Sequence, residues 1–242
     1  MKIVSIICTA VCIFNSGSLI AQAKPSPYEV GIHLGTSLYL GDLIPTFLGT
    51  YKSPGLFYGI DGSRKLNNRF LVRASLSHGK IKANDANYKS PQWRQERNFN
   101  FKTSITEILA NVVWNPFGNN HLLTPYVFAG AGYSFLKITR DYSNFNENYF
   151  ANEPRTLAGL SADIAHTLPK GTLVIPAGAG IRYPVSNKLS LSAETAFRFT
   201  GNDYLDGFSK AANPKRKDDY FTHTIGLIYA FGSKNMLACP TK

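Results

Sequence analysis

Five histidines are the side chains of this 242-residue chain best suited to chemistry: His33, His78, His121, His166 and His223. No two have the spacing of a metal-binding pair such as H-E-x-x-H, and no G-x-S-x-G turn presents a nucleophilic serine. The Gly-x-Gly steps at Gly130 and Gly178 precede no helix whose N-terminus could meet a phosphate. No metal or organic cofactor is therefore expected. His78 and His223 fall near the ends of apolar segments, where a Ser/His constellation could act on a lipid acyl chain. A solvated interfacial histidine is the plainer reading of each. Charge offers a second set of candidates: Arg73, Arg182 and Arg198, opposed by Asp61, Glu107 and Glu194, all on the polar side of alternating segments.

Those segments repeat with a period of two, the signature of strands with one apolar and one polar face. Tyr28 to Leu40 sets Tyr28, Val30, Ile32, Leu34, Leu38 and Leu40 against Glu29, Gly31, His33, Gly35, Ser37 and Tyr39. Similar alternation runs over 56–65, 70–79, 101–114, 125–135, 172–183, 189–200 and 220–231. The fourth is the least regular, because Ile105 and Leu109 fall on its polar side, and a β-bulge is expected there. Eight such strands, each long enough to cross a bilayer at a tilt, point to an all-β fold: an eight-stranded antiparallel up-and-down transmembrane β-barrel.

The connections alternate too. Short links follow the second, fourth and sixth strands, and long ones follow the first, third, fifth and seventh, the longest from about 137 to 171. Short periplasmic turns and long external loops are the outer-membrane pattern, and an even strand count puts both termini in the periplasm. The last strand, with Thr224, Gly226, Tyr229 and Phe231, resembles the insertion signal of outer-membrane barrels. Eight strands enclose only enough room for side chains. A salt-bridged polar plug of Asp61, Arg73, Glu107, Arg182, Glu194 and Arg198 is therefore expected, with the inward glycines making space for it.

Residues 1–23 read as a cleaved signal peptide: Lys2, an apolar run from Ile3 to Phe14, and Ala21-Gln22-Ala23 as the cleavage site. Residues 24–231 would form the barrel and 232–242 a periplasmic tail. Cleavage would leave Cys239 as the one cysteine, with 25 basic and 15 acidic residues, a net charge of +10. An exported protein rarely meets nucleic acid, so the partners expected of that charge are membrane lipids, lipopolysaccharide or an acidic protein. Lys80, Lys82, Lys89, Arg94, Arg97, Lys210, Lys215, Arg216 and Lys217 cluster near the expected external ends, suited to lipopolysaccharide phosphates. Cys239, on a tail in an oxidising compartment, is either a free thiol or half of an intermolecular disulfide.

Tyr28-Glu29-Val30-Gly31, Tyr39-Leu40-Gly41-Asp42-Leu43, Arg94-Gln95-Glu96-Arg97-Asn98-Phe99, Pro125 to Gly130, Asn202-Asp203-Tyr204-Leu205-Asp206 and Cys239-Pro240 carry a further signal. The chain they span resembles a Bacteroidota family of small outer-membrane barrels, OmpA/OmpX-like in architecture, which includes PorG of the type IX secretion system. The resemblance implies a non-enzymatic component that ties a periplasmic ring, built from a lipoprotein and a soluble partner, to the outer membrane. Cys239 is then placed for a disulfide to that partner. A surface binding protein or adhesin acting through the long loops, and a lipid A-modifying enzyme, are the competing functions.

Overall fold

The computed structural model describes residues 28–45, 51–118 and 122–231. The expected signal peptide, the tail with Cys239, and His121 lie outside the described residues.

Eight strands close into an antiparallel barrel in which each pairs with its sequence neighbour and the first pairs with the last. They are β1 (Tyr28–Leu40), β2 (Gly55–Lys65), β3 (Phe70–Asn84), β4 (Asn100–Trp114), β5 (Thr124–Asp141), β6 (Gly171–Pro184), β7 (Leu189–Asn202) and β8 (Asp218–Phe231). Two short helices lie in the long connections, α1 (Trp93–Arg97) and α2 (Pro154–Ala165). A hydrogen-bonded row starting at Tyr126 passes through Gly180, Glu194, Thr224, Gly35, Phe57, Gly79 and Ile105. It returns to β5 at Leu136, ten residues further along. That stagger across eight strands sets a tilt of about 40° to the barrel axis.

The outward faces are apolar and open, with Leu173 at 73% and Ile225 at 69% exposure. Aromatic residues end this belt at the short-turn side, among them Tyr28, Phe70, Trp114, Tyr183, Tyr229 and Phe231. No helix among the described residues is long and apolar enough to cross a membrane; the strands provide the span. An apolar outer face in contact with water would be strongly unfavourable, so the belt makes this a transmembrane barrel of the outer-membrane type.

Three details depart from the sequence reading. β4 pairs with β3 and β5 without interruption from Asn100 to Trp114, so the expected bulge is absent there. The register shift lies in β7 instead, between Arg198 and Asn202. β3 and β5 run past their expected ends at 79 and 135, to Asn84 and Asp141. The first and last of these share a cause. Near the long-loop end the pattern inverts: the inner residues Ile81, Ala83, Phe101 and Ile105 are apolar and buried, while the outer residues Lys80, Lys82, Lys102 and Ser104 are polar. There the strand has left the lipid, and its inner side faces an apolar core.

Candidate functional site: a sealed lumen and a loop cap

The lumen is filled in tiers. Nearest the short turns, Arg182 donates to both carboxylate oxygens of Glu29 at 2.9 Å, and Lys65 approaches the same carboxylate at 2.8 Å. In the middle, Arg73 pairs with Glu194, which also accepts from the Tyr126 hydroxyl at 2.6 Å. Asp61 accepts a hydrogen bond from the Ser75 hydroxyl at 2.6 Å and contacts His33 Nδ1 at 2.9 Å, while the other ring nitrogen of His33 lies 3.2 Å from Ser77. Further up, Arg198 pairs with the fully buried Glu107 at 3.0 Å and donates to Thr222, and Tyr220 donates to Glu107. Arg73 and Arg198 also stack on Phe128 and Phe57.

All six expected plug residues point inward. The structure pairs Arg73 with Glu194 and Arg198 with Glu107, but gives Arg182 to Glu29 and Asp61 to His33. Glu29, His33 and Lys65 therefore belong to the column in addition to the six residues expected there. Their positions on the polar faces of β1 and β2 were the available signal.

Gly180 shows how the column fits. A Cβ there would lie 2.6 Å from the Tyr126 ring, the ring whose hydroxyl reaches Glu194. Its absence makes room for the aromatic ring, and only through that ring for the ion pair. The voids along the column are about 20 Å³ each, room for no more than a water.

Above the column the long connections fold inward over the barrel mouth. Phe99 stacks on Phe208 at 4.2 Å and on Phe145 at 5.7 Å, over a core including Leu43, Ile44, Leu160 and Leu205. Three buried carboxylates organise the backbone around this core. Asp85 accepts from Arg94 at 3.0 Å, Arg97 at 2.6 Å and the Phe99 N–H at 3.3 Å. Asp163, on α2, accepts the N–H groups of Ser209, Lys210 and Ala211 at 2.9–3.1 Å. Asp206 accepts from the Tyr39 hydroxyl at 2.7 Å, and that oxygen is also 2.5 Å from Asp218. Arg140 ties the last long loop to α2 by donating to the carbonyls of Gly207 and Ile164.

Burial pushes Asp206 up to about 7, against the lowering effect of the Phe208 N–H and Tyr39. It likewise pushes Asp42 up to about 6, although Asn213 donates to that carboxylate at 2.7 Å. Arg94 and Arg97, expected to face lipopolysaccharide, are instead buried against Asp85. A loop position does not reveal burial: the Asp85 carboxylate draws both guanidinium groups inward. The segment expected as one loop from 137 to 171 contains the end of β5 and all of α2.

The remaining sequence candidates are dispersed. His78 and His223 sit on the outward face, on Thr106 and Thr195 respectively at 2.9 Å. Thr224 and Gly226 face the lumen, and Tyr229 and Phe231 lie outward in the aromatic rim. Tyr39-Leu40-Gly41-Asp42-Leu43, Arg94 to Phe99, and Asn202 to Asp206 come together. Tyr39 reaches Asp206, Arg94 reaches the Asp42 carbonyl at 3.4 Å, and Phe99 stacks beside Leu205 and Phe208. Three of the stretches on which the family resemblance rests thus build one cap.

A family model described as a domain of unknown function, DUF6089, matches residues 4–240. The chain belongs to the DUF6089 family. No curated protein matches this DUF6089 chain. Among solved structures it is similar to Neisserial surface protein A, at 14% identity and a TM-score of 0.48, over 84% of this chain and 97% of that one. It is also similar to the attachment invasion locus protein Ail of Yersinia pestis, in complex with the heparin analogue sucrose octasulfate. That match has 13% identity and a TM-score of 0.46, over 86% and 99% of the two chains. A major outer membrane protein from Thermus thermophilus matches at 12% identity and a TM-score of 0.47, over 85% and 99%.

Proposed function

We propose that this DUF6089 barrel is a non-enzymatic outer-membrane subunit that anchors the lipoprotein-containing periplasmic ring of a type IX secretion machine. The observation that carries the reading is the double closure. An ion-paired column fills the lumen, and a folded apolar cap covers its long-loop end. A barrel closed in this way is suited to holding a position in the membrane and is unsuited to passing a polypeptide or solute. The resemblance of its cap-building segments to the PorG-containing family supplies the machine. Both termini would lie on the periplasmic side with the short turns, where Cys239 could meet the ring. Deletion of the gene, with detergent pull-down of the tagged barrel after mild crosslinking, tests this. Loss of secretion and recovery of the ring proteins are expected; secretion unchanged in the deletion strain would overturn it.

A second reading draws on the cap itself. Its outer surface holds an open polar cleft of about 500 Å³ lined by residues including Asp203, Tyr204, Lys210 and Lys217, a feature suited to a surface binding protein. Replacing residues 203–217 by a short turn would abolish such binding while leaving ring recovery intact.

A further inference from the structure

The outward faces of β3, β4 and β5 carry lysines that the sealed lumen and the cap do not use. Lys82 stands directly opposite Lys102 across the β3–β4 pair, and Lys80, Ser104 and Lys137 share the adjoining row. All four lysines are exposed, and among the described residues no carboxylate is within ion-pair distance of any of them. The nearest acid in the same faces is Asp141, one outward position above Thr139, and its carboxylate accepts the Ser143 N–H at 3.0 Å. Like charges directly opposite each other on one face are destabilising, so this lattice carries a cost that a bound anion would relieve.

Its height selects the anion. At about 3.3 Å per residue and a tilt of about 40°, each residue climbs about 2.5 Å along the axis. Lys80 is ten residues above Phe70, in the aromatic rim of the short-turn side. It therefore stands about 25 Å above that rim, which is the height of the apolar band of such barrels. The lysine stems can lie on the top of the belt while the ammonium groups reach the headgroup layer. The far wall differs: outward residues Leu173, Phe199 and Phe221 end the belt on β6, β7 and β8, followed by Gly171, Gly201 and Asp219. A mere solvated rim would not confine its lysines to one wall.

We propose that Lys80, Lys82, Lys102 and Lys137 form a binding site for the phosphorylated headgroup of a lipid in the leaflet at the long-loop end. Closely spaced phosphates would bridge the Lys82–Lys102 pair and the Lys80–Lys137 row, with Ser104 between Lys80 and Lys137 and Thr139 beside Lys102. The site is distinct from the loop lysines and requires no ring partner, so it stands or falls independently of the secretion reading.

Native mass spectrometry of the full-length barrel in detergent tests the site. It is titrated with diphosphorylated lipid A, with the same lipid after phosphatase treatment, and with inorganic phosphate. We expect the diphosphorylated lipid to be retained about tenfold more than the dephosphorylated one. K80Q/K82Q/K102Q/K137Q should lose that preference, while K89Q/K210Q/K215Q/K217Q, with the same change in charge, should keep it. K82Q/K102Q should lose about half of it on a logarithmic scale, which covers the case in which the fourfold variant does not fold. Equal retention of the two lipids, equal losses in the two fourfold variants, or displacement by free phosphate would overturn the proposal.

Discussion

Asp85→Asn separates the cap from the barrel beneath it. In the native chain the Asp85 carboxylate is fully buried and faces two guanidinium groups and a backbone N–H. Burial already lowers the pKa of Arg94, with Asp85 opposing that effect. The amide keeps the shape but removes the only carboxylate that pairs with Arg94 and Arg97 among the described residues. Breaking a buried ion pair from one side costs about 3–5 kcal/mol. Concentrated on one loop, that raises its open population by about 10² to several thousandfold. Trypsin reads this directly, because Arg94 and Arg97 are 7% and 4% exposed in the closed cap. Cleavage after these arginines should accelerate by about that factor, while the membrane strands stay protected. Replacing all three groups together, with D85L/R94M/R97M, should restore protection from hydrogen exchange over 85–99, since no charge is then stranded. Unchanged protection of Arg94 and Arg97 in D85N would refute the idea that this cluster holds the loop.

Similar reasoning applies in the lumen: Arg73→Met leaves Glu194 with Tyr126 alone and should cost about 3 kcal/mol, whereas Arg73→Met/Glu194→Leu should recover most of it. Urea unfolding in lipid vesicles, followed by tryptophan fluorescence, measures both. The cap should also respond to pH. Asp42 and Asp206 have folded values raised to about 6 and about 7, above the ordinary carboxylate value. Their protonated forms are thus favoured by folding, and this stabilisation is complete below about pH 4 and lost as pH rises through 6 and 7. Hydrogen exchange over 203–217, corrected for its intrinsic pH dependence, should therefore be faster at pH 8 than at pH 5. D42N/D206N should reduce that difference.

How much of this was legible in the sequence depended on what each face of a strand met. Where one face met lipid and the other the polar lumen, alternation placed all eight strands and the inward side of Arg73, Glu107 and Arg198. Where β3, β4 and β5 rise above the lipid, both solvents change at once. Lys80 and Lys82 then face outward and Ile81 and Ala83 inward, so the pattern reads as broken when the strand continues. Pairings within the lumen were not legible, because register and stagger decide that Arg182 meets Glu29. The cap was hidden for a related reason. Asp85, Asp163 and Asp206 are polar residues in loops, and only tertiary structure shows that each is buried to satisfy guanidinium, backbone N–H or hydroxyl donors.

The proposed role requires a closed barrel to hold a periplasmic assembly against the membrane from its short-turn end. Photo-crosslinking in growing cells tests this most directly, with the reactive residue placed at Asn68 or Asn187 in the short turns and at Lys89 or Lys215 in the long loops. Crosslinks to a periplasmic lipoprotein from Asn68 or Asn187, and none to it from the loop positions, are the predicted result. Crosslinks to that lipoprotein from Lys89 or Lys215 alone, or from no position, would contradict it.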